Sequence, residues 1–131
     1  MTESERIKSL RVALVAVGLI FTVVFYPLTV AWPSGWTWHT GHSDYLPMII
    51  GVYATLGVFL LMAARDPLAN LGLIWFTVWS SVVHGGIMTV QALASPAGHG
   101  HLMGDVPALF IVAGVLAVLT PRSAGALRAA A

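Results

Sequence analysis

The chain has 131 residues, 58 % of them hydrophobic and only 8 % charged, with a mean hydropathy of +0.88. A soluble domain carries about 25 % charged residues, so the composition is that of a membrane protein, and its length suits one domain, 1–131. A net charge of +1 says nothing about nucleic acid, but no basic, aromatic-interleaved patch exists and no nucleic-acid partner is expected; the lack of cysteine excludes disulfides, thiolate metal sites and cysteine nucleophiles.

Residues 1–9 are polar and charged, and residues 10–32 then form an apolar run long enough to cross about 30 Å of hydrocarbon. The run is too long for a signal peptide. Trp32-Pro33-Ser34-Gly35-Trp36 follows it, where a small-x-small cleavage site would stand, so it reads as a retained first helix. Pro27 is expected to kink it. Thr22, Tyr26 and Thr29 make a polar stripe at i, i+4, i+7. Such hydroxyls either line a pocket or simply bond to backbone carbonyls of their own helix.

The loop PSGWTWHTGHSD carries His39 and His42, and Trp32, Trp36, Trp38 and Tyr45 form an interfacial aromatic belt. Ser43 or Asp44 is expected to cap the second helix, 46–64, with Pro47 harmless in its first turn. Tyr45, Met48 and Thr55 give that helix a polar face of its own. Arg65-Asp66-Pro67 ends it and the third helix, 68–93, follows. The loop SPAGHGHLMG carries His99 and His101. Asp105 and Pro107 then repeat the cap-plus-proline start for a fourth helix, 106–120. The tail SAGALRAAA reads as a short helical or frayed end.

The third helix holds the most informative stretch, FTVWSSVVHGGIMTVQAL. Thr77, Ser80/Ser81, His84, Met88 and Gln91 fall three or four residues apart and share one face, while Phe76, Trp79, Val82, Val83, Ile87 and Val90 occupy the others. An ionisable residue inside a span faces a protein interior or wet cavity and marks a functional site. The alternative is that His84 bonds to a neighbouring helix as packing glue.

Every Lys and Arg (Arg6, Lys8, Arg11, Arg65, Arg122, Arg128) lies at the N-terminus, the 2–3 turn or the C-terminus. The positive-inside rule therefore places both termini in the cytoplasm and both histidine loops outside. With an Ala/Gly/Val-rich, Lys-poor composition, this points to a bacterial inner membrane. A faint duplication aligns Thr29, Val30, His39, Pro47, Val52 and Val58 with Thr89, Val90, His99, Pro107, Val112 and Val118. Two such helix pairs in the same sense would be a parallel repeat.

All five histidines belong to one half of the molecule, His84 lying roughly 10 Å below Gln91. Histidine with carboxylate suits zinc or copper, and methionine tilts the set towards copper. The donor set is His39, His42, Asp44, His84, Met88, His99, His101, Met103 and Asp105. Two spacings fit: His99-Gly-His101-Leu-Met103 alternates donors along an extended segment, and His84-x-x-x-Met88 sets both on one helical face. Without metal the same histidines would form a pH-responsive surface. Haem is the next ligand, because His84-Gly85-Gly86 leaves room for a macrocycle, although no second histidine lies within a span. Quinone is another, held by His84 with Tyr26 or Tyr45.

Catalytic templates are absent: no Ser-His-Asp spacing, phosphate loop, H-E-x-x-H or intramembrane carboxylate pair occurs. No acid stands inside a span either, which argues against a proton-driven transporter. With four spans, outer histidine loops and an HGG helix, the chain resembles the small four-helix bacterial membrane proteins known only as domains of unknown function. That resemblance rests on architecture and size and implies no activity. The sequence thus predicts an all-α bundle of four transmembrane helices. Its leading role is an accessory or binding protein with a metal-binding outer end. The rivals are a haem or quinone subunit of an oxidoreductase and a purely structural subunit. Small residues (Gly51, Ala54, Gly57; Ala113, Gly114, Ala117) permit close packing in a homo-oligomer or larger complex.

Overall fold

The computed structural model describes residues 1–38 and 41–122. Among them there are helices and turns and no strand. Four long helices carry the architecture: α1 (Glu3–Ala31), α2 (Tyr45–Ala63), α3 (Leu71–Ala94) and α4 (Asp105–Leu119). With the short turns Pro67–Asn70 and Pro96–Leu102 that lead into α3 and α4, all four stretches are long and apolar enough to cross a membrane. The all-α, four-helix class expected from hydropathy is the observed fold.

α1 starts at Glu3 rather than at residue 10, because the polar leader is itself a helix start. Thr2 and Glu5 form a capping box, each side chain accepting from the other's backbone amide. The added turns bring Arg6 to the far end of α4, where its guanidinium donates to the carbonyls of Val118, Leu119 and Thr120 at 3.0–3.2 Å. These last carbonyls have no partner within their own helix. Trp75 Nε1–H donates to the Pro121 carbonyl beside them. The beginning of α1, the end of α4 and the α2–α3 turn thus share one end, here the basic end. The loops with histidines share the other, the histidine end.

α1 is distorted where Pro27 predicts a kink, but just before the proline: Ile20–Val24 is a π-helical turn. Proline offers no N–H to the carbonyl four residues back and its ring crowds that carbonyl, so a wider preceding turn relieves the clash. Of the polar stripe, Thr22 and Thr29 donate to the carbonyls of Gly18 and Tyr26 in their own helix.

α1 packs along α2 and α3 along α4, whereas α2 makes little contact with α3 and less with α4. Gly18 and Gly57 face each other where α1 meets α2. A Cβ on Gly57 would collide with the Gly18 carbonyl and with Thr22, so two backbones touch here. The basic half has a solid core in which Leu10, Leu14, Leu60, Ile74 and Leu116 are fully buried. In the other half, among the described residues, a smaller cluster of Met88, Val106 and Leu109 forms, with Tyr53 packed against it. The bundle is filled at the basic end and hollow at the histidine end.

Candidate functional site

The hollow is a cavity of about 300 Å³. α1 supplies Ile20, Phe21 and Phe25 to its wall, so the π turn borders it. Leu46, Ile49 and Tyr53 come from α2, spaced at i, i+3, i+7, and His84 and Met88 from successive turns of α3. α4 contributes Asp105, Ala108, Leu109, Ile111 and Val112, and Trp36 lines the histidine end.

Its polar centre is a bond between Tyr53 Oη and His84 Nδ1, 2.6 Å long. Phe21 and Phe25 hold the Tyr53 ring edge-on, with centroids 4.9 and 5.4 Å away. Two tautomers fit this bond. If the hydroxyl donates to Nδ1, the ring carries its proton on Nε2. If Nδ1–H donates to Oη, the hydroxyl hydrogen is free. Either way the pair keeps one donor to spare. Trp36 Nε1–H is buried beneath the wall, out of reach from the cavity, and has no partner among the described residues.

A second polar unit roofs the cavity. His101 Nδ1 lies 2.9 Å from both carboxyl oxygens of Asp105, and its Nε2–H donates to the Thr37 carbonyl at 3.1 Å. Since a carbonyl can only accept, Nε2 must carry a proton. Nδ1 then either donates as part of an imidazolium or accepts from a carboxylic acid, and in both cases the pair is net neutral. Trp38 stacks on the imidazole, with centroids 3.9 Å apart. The clasp ties the two loops of the histidine end together, and glycines let them close: a Cβ on Gly100 or Gly104 would strike the Ser34 or Gly35 carbonyl.

The structure sorts the predicted residues. His84 and Met88 reach one cavity, as their spacing predicts, and Asp105 joins them. Thr77, Ser81 and Met88 of the polar stripe are buried, and Gln91 is exposed. Tyr26 and Tyr45 are 62 % and 75 % exposed and line no part of the cavity; the tyrosine that meets His84 is Tyr53. The His99–Met103 segment is not extended but wound into the 3₁₀ turn Pro96–Leu102. Its side chains therefore fan around an axis: His101 points in, while His99 and Met103 stay exposed. Asp44 caps no amide, because its carboxylate accepts from His42 Nε2–H at 2.8 Å on the surface. Asp105 sits inside the first turn of α4, with Gly104 at the cap position. His39 and the tail after Arg122 lie outside the described residues. Among those described, no three His, Asp or Glu side chains converge as a metal set would.

Tyr53 and Trp36 are the residues sequence reasoning misses. Leu46-Ile49-Tyr53 did carry a signal, a helical row ending in a hydroxyl. It was indistinguishable from the rows facing outward.

The chain belongs to a family of unknown function (DUF6632), whose model matches residues 4–131. No curated protein and no solved structure matches it.

Proposed function

We propose that this member of a family of unknown function is a multi-pass membrane protein that holds a lipophilic small molecule with a polar head in the cavity at its histidine end. The observation that carries this reading is the cavity itself: apolar walls around a few convergent polar groups, the usual make-up of a small-molecule site. Large apolar side chains such as Val23, Phe59, Phe76, Trp79 and Val118 face outward from all four helices, as contact with lipid requires. A haem would draw its axial ligands from opposite faces, but His84 and Met88, the wall's histidine and methionine, come from one helix. Copper or zinc keeps a foothold in the exposed His42–Asp44 pair, half the donors of a four-coordinate site. Outward-facing Gly51 and Gly114 leave room for a second copy or a partner subunit.

The test fills the cavity. Ala108→Phe should keep the fold and exclude the ligand. An organic extract of the purified wild-type protein should then contain a lipophile, in near-stoichiometric amount, that the variant lacks. Identical extracts from both proteins would remove the reading.

Orientation follows from charge. Arg6, Lys8, Arg11, Arg65 and Arg122 stand at the basic end, which supports a topology with that end cytoplasmic and the cavity near the outer face of a bacterial inner membrane. In intact cells a membrane-impermeant thiol reagent should label Ala97→Cys and leave Ala69→Cys untouched. The reverse pattern would invert the topology.

A further inference from the structure

Resting on the reading of the cavity as a lipophile site, we propose that its occupant is a neutral lipid alcohol, a hydrocarbon tail with one hydroxyl group, whose head bonds to His84 Nε2. Tyr53, His84 and Asp105 are the polar side chains that reach the wall. Asp105 is engaged by His101 Nδ1 and by the Val106 amide. Tyr53 Oη and His84 Nδ1 engage each other. His84 Nε2 has no partner among the described residues and, unlike Trp36 Nε1, keeps accessible surface.

What that nitrogen requires depends on the bond behind it. When the Tyr53 hydroxyl donates to Nδ1, Nε2 carries the ring proton and donates. When Nδ1–H donates to Oη, Nε2 is bare and accepts. A hydroxyl group does both, so it pairs with Nε2 in either arrangement. A ketone only accepts and pairs in one of the two. A plain hydrocarbon pairs in neither and leaves a polar atom facing apolar surroundings, which costs free energy. Charge narrows the head further. The lysine and arginines of the described residues all stand at the basic end, and the His101–Asp105 pair is net neutral. A carboxylate or phosphate head would find no free cation in the cavity and would leave water unpaired, at a large cost.

The entrance suits such a lipid. α2 scarcely touches α4, and the cavity wall between them includes Ile49 and Ile111, both exposed on the apolar outer surface of the bundle. A head can pass sideways through this gap while its tail stays in the bilayer. The basic half is solid and the His101–Asp105 clasp roofs the histidine end, which leaves the lateral gap as the way in.

The experiment titrates the full-length protein in detergent with decanol, undecane, decanone and ionised decanoate, each affinity corrected for the probe's partition into empty micelles. Decanol should bind about tenfold more tightly than undecane, the worth of one well-made hydrogen bond. Decanone should fall between them, and decanoate should bind no better than undecane. His84→Leu should lower decanol to the level of undecane and leave undecane unchanged, which also shows the cavity intact in the variant. The wild-type comparison holds whether or not that variant folds. In the wild-type protein, decanol no tighter than undecane, decanone as tight as decanol, or decanoate tighter than decanol would each overturn the alcohol assignment. Binding of no probe, together with an empty wild-type extract, would remove the cavity reading too.

Discussion

Replacing His101 by leucine should destabilise the protein by about 3–5 kcal/mol, the range seen when one member of a buried charged pair is removed. The imidazole is 1 % exposed and both its nitrogens are engaged, one by Asp105 and one by the Thr37 carbonyl. Leucine would strand the Asp105 carboxyl group in the wall of the cavity and cut the link between the two loops of the histidine end. Asp105→Asn makes the informative contrast. With Nε2 protonated, a neutral His101 presents Nδ1 as an acceptor, and the asparagine amide can donate to it. That variant should lose only about 1 kcal/mol, the order of one ordinary hydrogen bond. His42→Ala should leave stability unchanged, since its partner Asp44 is as exposed as itself. Thermal or denaturant unfolding in a fixed detergent ranks the three. A His101→Leu protein as stable as His42→Ala would contradict the clasp.

Gly57→Ala should cost about 1–3 kcal/mol, although alanine is the better helix former by up to about 1 kcal/mol. The added methyl would point at the backbone of α1, at the Gly18 carbonyl and the Thr22 amide, neither of which can turn aside. α1 and α2 would have to separate along the stretch that positions Tyr53, one turn away. Ligand affinity should therefore fall along with stability. Gly51→Ala, on the same helix, has nothing within 4 Å of the new methyl and should be neutral or slightly stabilising. The same unfolding measurement, with the lipophile content of an organic extract, reads both. Equal behaviour of the two variants would mean that the helices are not held backbone to backbone.

Four helices, most of their ends apart from the start of α1, and the segregation of basic residues were legible in the chain, because each is a local property. An apolar run of sufficient length is a helix wherever it packs, and a charged turn ends it whatever its neighbours are. The face of α3 with Thr77, Ser81, His84 and Met88 was legible for the same reason, from helical spacing alone, although Gln91 at the end of that stripe is exposed. The structure alone decided which tyrosine meets His84. In a helix whose outside is as apolar as its inside, hydropathy does not distinguish the two faces, so Tyr26, Tyr45 and Tyr53 look alike until α1 and α2 close on each other through Gly18 and Gly57. The loop histidines were undecidable in the same way. His99 and His101 differ by two residues, and a 3₁₀ turn sends one outward and the other beneath Trp38. That choice depends on glycines at 100 and 104 admitting the Pro33–Trp36 turn, a contact between segments far apart in the chain.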